Sequence, residues 1–345
     1  MDSRAHGRYK GPRTGERERA MTVLVTGAAG FIGFHVSRAL LARGERVVGV
    51  DNLNDYYDVR LKEARLERLA AEPGFAFLRL DIAEEGSIAA LAEREPAIDR
   101  IVHLAAQAGV LYSITNPAAY IRDNIQGQHV LLELCRRLGR LRHFVYASSS
   151  SVYGGNRKLP FSIADRVDEP VSLYAATKRA DELISHTYSH LFRIPATGLR
   201  FFTVYGPWGR PDMAMFIFTK AILAGEPIRL FNYGNMRRDF SYIDDVVAGV
   251  LAVLERPPPE GDAAPHRLYN LGHHRAEELR HLVELIERAT GRKAIVELAA
   301  MPPGDVPETF ADIEASVRDF GFAPRTPLEE GVPRFVDWYR DYHGL

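Results

Sequence analysis

The chain is predicted to be an α/β protein with a Rossmann-type, doubly wound parallel sheet and a smaller, discontinuous substrate-binding domain. Three observations carry this reading. Short β-branched apolar runs alternate with longer amphipathic runs, a glycine cluster lies between the first of each, and after Tyr205-Gly206-Pro207 the alternation loosens into Pro- and Gly-punctuated segments. Strands joined by helix-length crossovers pair in parallel and are covered by helices on both faces.

In order, Thr22 to Thr26 reads as a strand and Phe31 to Arg43 as its helix. Arg46 to Asp51 is followed by Val59 to Ala70, and Phe75 to Asp81 by Ser87 to Arg94. Arg100 to Leu104 precedes a long helix at Ala118 to Leu138, His143 to Ala147 precedes another at Leu173 to Phe192, and Ala196 to Phe201 closes the series. Tyr242 to Glu255 again reads as a core helix and Leu268 to Leu271 as a strand, so the second domain is interrupted by the first. Residues 21–203 with 239–272 are assigned to the dinucleotide half and 204–238 with 273–345 to the second domain, with Pro257-Pro258-Pro259 marking a surface loop. Residues 1–20 carry Arg4, Arg8, Lys10, Arg13, Arg17 and Arg19 with almost no apolar residue. They are expected to form a disordered tail, without the apolar region of a signal peptide.

The 345 residues, 46% hydrophobic, suffice for a large core, and a formal net charge of -1 supplies no basic field for nucleic acid. No run approaches the roughly 20 apolar residues needed to span a bilayer. Neither nucleic acid nor membrane is an expected partner; small molecules are. The single cysteine, Cys135, lies in an apolar helical run and reads as an inert thiol in a reducing, cytoplasmic protein. The twelve histidines show no metal-ligand spacing, and no metal site is expected.

Thr26-Gly27-Ala28-Ala29-Gly30-Phe31-Ile32-Gly33 closes the first strand and opens the first helix. Glycines there allow a tight turn and close approach of the backbone to a pyrophosphate, which the free N–H groups and positive end of the helix hold. Asp51 ends the next strand, with Asn52 beside it; a carboxylate suits two ribose hydroxyls and repels a 2′-phosphate, so the expected cofactor is NAD. Asp81-Ile82 ends the third strand near the adenine, and Leu104-Ala105-Ala106 ends the fourth with small residues for the ribose, although ordinary strand-end chemistry accounts for both. Asn124, inside a helix where Asn ordinarily destabilises, is expected at a bend or a held water beside the cofactor.

Tyr174-Ala175-Ala176-Thr177-Lys178 places a phenol and an ammonium on one helix face at i and i+4. An ammonium beside a phenol favours the phenolate and makes it a usable base. Such a pair alone also fits a solvated helix face. Twenty-five residues before Tyr174, Ser149 stands within Ser148-Ser149-Ser150-Ser151, where a strand ends at the carboxyl edge of the sheet.

With the glycine motif, ribose acid, strand-end serine, Tyr174 and Lys178 in this order, the chain resembles the extended short-chain dehydrogenase/reductase family from Met21 to its end. Asp51-Asn52-Leu53-Asn54-Asp55-Tyr56-Tyr57-Asp58 and the stretch from Arg200 through Gly209-Arg210-Pro211-Asp212 to Ala214 are similar to those of UDP-glucuronate 4-epimerases. The resemblance implies catalysis by Tyr174, Lys178 and Ser149, with Tyr174 taking the proton of the sugar 4-hydroxyl while C4 gives hydride to NAD. The 4-keto sugar then turns over and hydride returns to its other face. It places Phe201 by the cofactor and Arg238 on the diphosphate. Phe231 packs on the uracil or sits in the core, and Arg210 suits either the diphosphate or the C6 carboxylate.

Related dehydratases carry an Asp-Glu pair, and decarboxylases a Glu, where this chain has Ser150-Ser151. Without an acid there, hydroxyls of Ser150, Ser151 and Thr203 are expected to hold the carboxylate and leave epimerisation as the reaction. A serine-rich turn is the plain alternative. Two departures weaken the match. Leu111 replaces the Arg of relatives, which removes a cation near the sugar and loosens selectivity for the carboxylate, and Pro302 replaces a Gln. A UDP-glucose/UDP-galactose epimerase is the first alternative, and a non-catalytic NAD-binding sensor one of another class. The two long helices resemble the family's dimerising pair, which implies a homodimer.

Overall fold

The computed structural model describes residues 21–345; the tail expected at 1–20 lies outside the described residues. Seven strands form one sheet: β1 (Thr22–Thr26), β2 (Arg46–Asp51), β3 (Phe75–Arg79), β4 (Arg100–His103), β5 (His143–Ser149), β6 (Ala196–Phe201) and β7 (His266–Leu271). Their order is β7-β6-β5-β4-β1-β2-β3, and every neighbouring pair is parallel. Alternate residues of each strand enter opposite cores. Val23 and Val25 join one apolar cluster and Leu24 the other, as Val47 and Val48 divide on β2. Burial on both faces explains the near-continuous apolar runs.

The crossovers are α1 (Phe31–Ala42), α2 (Val59–Ala70), α3 (Glu85–Arg94), α4 (Gly127–Leu138) and α5 (Leu173–Phe192). Strand order reverses at β1, which pairs Thr26 with Val50 of β2 on one side and with His103 of β4 on the other. A crevice opens at the carboxyl ends of strands at such a point.

Among the boundaries that differ from expectation, three border the carboxyl edge of the sheet or the helices beside it. β3 stops at Arg79, because Asp81 turns its carboxylate back to accept from the Ala83 N–H at 2.9 Å. β5 continues to Ser149 before a 3-10 turn at Ser150–Tyr153. The long helix before α4 begins as Pro117–Tyr120 and widens into a π-turn at Ile121–Gln126.

Beyond β6, helices α6 (Ala214–Ala224), α8 (Leu279–Thr290) and α9 (Leu328–His343) pack together, while α7 (Ile243–Leu254) returns to the main sheet against α1. A parallel pair, Pro227–Leu230 with Ile295–Leu298, completes this second body. A further parallel pair, Thr203–Tyr205 with Phe240–Tyr242, runs on from the end of β6 and leads into α7. Among the described residues no helix is long and apolar enough to cross a membrane.

Candidate active site

Two adjoining recesses open at the carboxyl edge of the sheet, and Ser149, Tyr174, Phe201, Phe202, Arg210 and Met213 line both. The first recess lies over the turn from β1 to α1. Gly27 sits at φ +69°, and a Cβ there would meet Ala105 N at 2.8 Å, so the turn and the end of β4 touch backbone to backbone. Gly30 caps α1 without any side-chain bond to the first-turn N–H groups. Those donors are left for an anion.

Asp51, almost fully buried, accepts from Leu53 N at 2.9 Å and from Ala29 N at 3.2 Å, which ties this carboxylate to the glycine turn. Asn52 donates to Asp81 at 3.2 Å, and Arg122 pairs with the same carboxylate at 2.7 Å. Burial resists ionisation of Asp81, but these partners outweigh it and hold its carboxyl below the usual range. Gly30, Phe31, Ile32, Gly33, Ile82, Leu104, Ala105, Ala106, Lys178 and Phe201 complete the same wall. Glycine turn, uncapped helix end and a buried carboxylate at the end of the next strand therefore fit a dinucleotide.

Asn124 is the exception. Its side chain is buried away from the recess, where it accepts from Gln107 N (2.8 Å) and donates to Gln107 O (3.1 Å) and Thr177 Oγ1 (2.9 Å). Placed inside the π-turn, it pins the segment after β4 to α5. The bend expected at Asn124 is this π-turn, and its side chain braces the recess from behind.

Tyr174 and Lys178 stand on the first turns of α5, whose start is fixed by Ser172 Oγ accepting from Ala175 N at 3.1 Å. Tyr174 faces both recesses, with the ring of Tyr120 edge-on at 6.0 Å. Ser149 Oγ accepts from Ser151 N at 3.1 Å, so the serine run folds into a short turn at the mouth. Behind it, Ser148 donates to Glu182 at 2.6 Å, and Glu182 also takes Arg200 through two bonds of 2.7 and 2.9 Å. Burial opposes the charge on Glu182, yet Arg200 more than compensates and keeps the carboxyl below its usual value.

Ser150, Ser151, Thr203 and Arg238 line the second recess. Arg238 is held there by Asp305 at 2.7 Å and the Pro307 carbonyl at 3.1 Å. Arg210, reaching both recesses, is paired through Nε with Asp212 at 3.0 Å, and Tyr56 donates to the same carboxylate at 3.0 Å. Phe231 lines neither recess. It begins a short turn in which Asn232 and Tyr233 take positive φ, and this turn carries it off the wall. Leu111 also lines neither and is 49% exposed, whereas Gly109 and Val110 face the second recess.

Lys62 and Tyr56, not singled out from sequence, line the first recess. Lys62 donates to the Asn54 carbonyl and side chain, each at 2.7 Å. Arg65, fully buried, bonds Ala29 O at 2.9 Å and Trp208 O at 2.6 Å, joining the glycine turn to the segment that carries Arg210. The aromatic-rich stretch after Asp51 was the available signal; the partners lie too far along the chain to be read locally.

A phenol, an ammonium and a hydroxyl thus stand where a recess that fits a dinucleotide meets a second, hydroxyl- and guanidinium-lined one. That arrangement suits proton and hydride transfer at a single carbon of a polar, anionic ligand.

The chain is 51% identical to a 37.6 kDa protein of Escherichia coli O111:H-, over 94% of this chain and 99% of that protein. It is 46% identical to the probable UDP-glucuronate 4-epimerase of Rhizobium meliloti, over 92% and 97% of the two. The crystal structure of UDP-glucuronic acid 4-epimerase from Bacillus cereus in complex with UDP-glucuronic acid and NAD superposes with a TM-score of 0.84 at 34% identity, covering 93% of this chain and all of that one. Residues 23–272 match the NAD dependent epimerase/dehydratase family, and the chain belongs to it.

Proposed function

We propose that the protein inverts C4 of UDP-glucuronate to give UDP-galacturonate, using NAD held in the first recess. One observation carries the choice among related reactions. Tyr174 shares the second recess with hydroxyls of Ser149, Ser150, Ser151 and Thr203, and of the residues lining it the one carboxylate, Asp305, is held by Arg238. Among the described residues that line this recess, no carboxyl group is free to expel water from the sugar. Hydroxyl donors suit a C6 carboxylate, which accepts charge-assisted hydrogen bonds.

NAD, when bound, supplies a reversible acceptor for the C4 hydride. Tyr174 takes the 4-hydroxyl proton as the C4–H bond breaks and returns it when hydride comes back to the opposite face, so the sugar leaves with no net oxidation. Ser149 bonds O4, Lys178 holds the nicotinamide ribose, and Arg238 holds the diphosphate. Arg210, at the junction of the recesses, serves whichever anionic group of the sugar nucleotide passes it.

We further read the protein as a cytoplasmic homodimer joined through the helical run ending at Leu138 and α5, where Ile121, Leu183, Leu191 and Phe192 are exposed. Sedimentation as a monomer at micromolar concentration would overturn the dimer. Incubation with UDP-glucuronate and, separately, UDP-glucose, with products resolved by NMR, tests the reaction. UDP-galacturonate is expected. Conversion of UDP-glucose alone makes it a neutral-sugar epimerase, carbon dioxide release makes it a decarboxylase, and bound NAD without any product makes it a sensor.

A further inference from the structure

Lys178 has a partner behind it. Its ammonium, on a side chain 3% exposed, donates at 3.1 Å to Asp181, one turn further along α5 and 1% exposed. The second carboxylate oxygen, Asp181 Oδ1, is buried and has no hydrogen-bond partner among the described residues. An acid with an empty acceptor in such a place is a poor source of stability for its own sake, since desolvation rivals the attraction it gains. Its effect falls on the lysine. One of three N–H donors is fixed toward α5, and two are left for the recess that Lys178 lines with Tyr174.

The surrounding charges leave this task to Asp181. Glu182, its neighbour, is spent on Arg200, Arg179 and Ser148. From β4, His103 faces Lys178 but is neutral, because burial and then the lysine charge push it down to about 3. From β5, Tyr146 is held neutral, with burial the main cause of its raised value.

We propose that Asp181 is a positioning residue for the reaction: it holds Lys178 in register with Tyr174 and sets, through its charge, how strongly that ammonium favours the phenolate. The inference rests on the reading of Tyr174 and Lys178 as the reacting pair. Burial pushes the Asp181 carboxyl up to about 6, against the pull of Lys178. It is therefore charged and paired at neutral pH and loses its charge in mildly acidic solution.

Asp181→Asn keeps shape and an acceptor but removes the charge. The tyrosinate absorbance of Tyr174, taken as the difference from the same protein carrying Tyr174→Phe, should titrate lower by on the order of one pH unit. Less NAD should also survive gel filtration, and Asp181→Glu, which keeps the charge, should bring both readings back toward wild type. A titration and NAD retention in Asp181→Asn that match wild type overturn the proposal. If that variant does not fold, the ¹⁵Nζ resonance of Lys178 in the wild-type chain, identified by its loss in Lys178→Arg, decides. An inflection near pH 6 supports it, and a flat response between about pH 5 and 7 overturns it. Full epimerase activity in Tyr174→Phe would sink the underlying reading instead, so the two failures are distinct.

Discussion

Replacing Gly33 by alanine strikes the dinucleotide recess at its tightest point. A Cβ at Gly33 would lie 2.0 Å from the Gly27 carbonyl oxygen, where ordinary contact begins near 3.4 Å, so the glycine turn and the start of α1 must part by about 1.4 Å. A shift of that size carries the first-turn N–H groups out of hydrogen-bond range of a pyrophosphate seated on the turn. Losing two charge-assisted bonds, at about 1.5–3 kcal/mol each, removes about 3–6 kcal/mol, or two to four powers of ten in affinity. Gly30→Ala, with its Cβ 2.9 Å from the same oxygen, should lose less, and Gly86→Ala, where a Cβ meets nothing within 4 Å, should lose nothing. Titration calorimetry with NAD on the stripped proteins measures the order, with far-UV circular dichroism as the check on folding. A folded Gly33→Ala protein binding NAD within about threefold of wild type would refute the reasoning.

Tyr174→Phe should lower kcat by about two to four powers of ten with most of the NAD retained, because it removes the proton acceptor and keeps the ring that lines the first recess; equal turnover would exclude Tyr174 as the base. Ser151→Glu introduces an acid into the second recess and should abolish epimerisation of UDP-glucuronate or divert it to carbon dioxide, measured by product NMR; unchanged outcomes on both counts would remove the serines from the argument. Glu182→Gln leaves Arg200, 1% exposed, without its counter-charge and should destabilise the fold by about 3–5 kcal/mol at neutral pH, read from urea melts. Since the folded carboxyl sits below its unfolded value near 4.3, this contribution is complete above that pH and is lost as pH falls through the folded value. The gap between the two proteins should therefore close in acid.

Most of the sheet was legible because its cause is local. A strand buried on both faces is apolar along most of its length, and the crossover that follows carries a helical stripe, so most units from Thr22 to Phe201 show their own signature. The chemical residues were legible for a related reason. Gly27, Asp51, Ser149 and Tyr174 stand at strand ends or on a first helical turn, where topology alone decides that they meet. Positions whose surroundings come from distant residues were less legible. Asn124 was expected at a bend because Asn is costly in a helix; the π-turn is that bend, but its partners Gln107 and Thr177, the latter fifty-three residues away, could not be read locally. The place of Phe231 depends on the left-handed residues that follow it, which its residue type does not reveal.

The same distinction explains why charge at the second recess could not be read from the sequence. Arg210 and Arg238 suggested a cationic pocket awaiting an anion, yet each already holds an acid, Asp212 and Asp305. Asp212 lies two residues from its partner, but its grip is completed by Tyr56, 156 residues distant, and Asp305 is 67 residues from Arg238. Paired in this way, the guanidinium groups exert little long-range field, consistent with a chain whose net charge is only -1. Selection of an anionic sugar nucleotide then works at contact distance. Each guanidinium keeps N–H donors beyond those spent on its carboxylate, and the ligand must bring oxygens that meet them at hydrogen-bond distance.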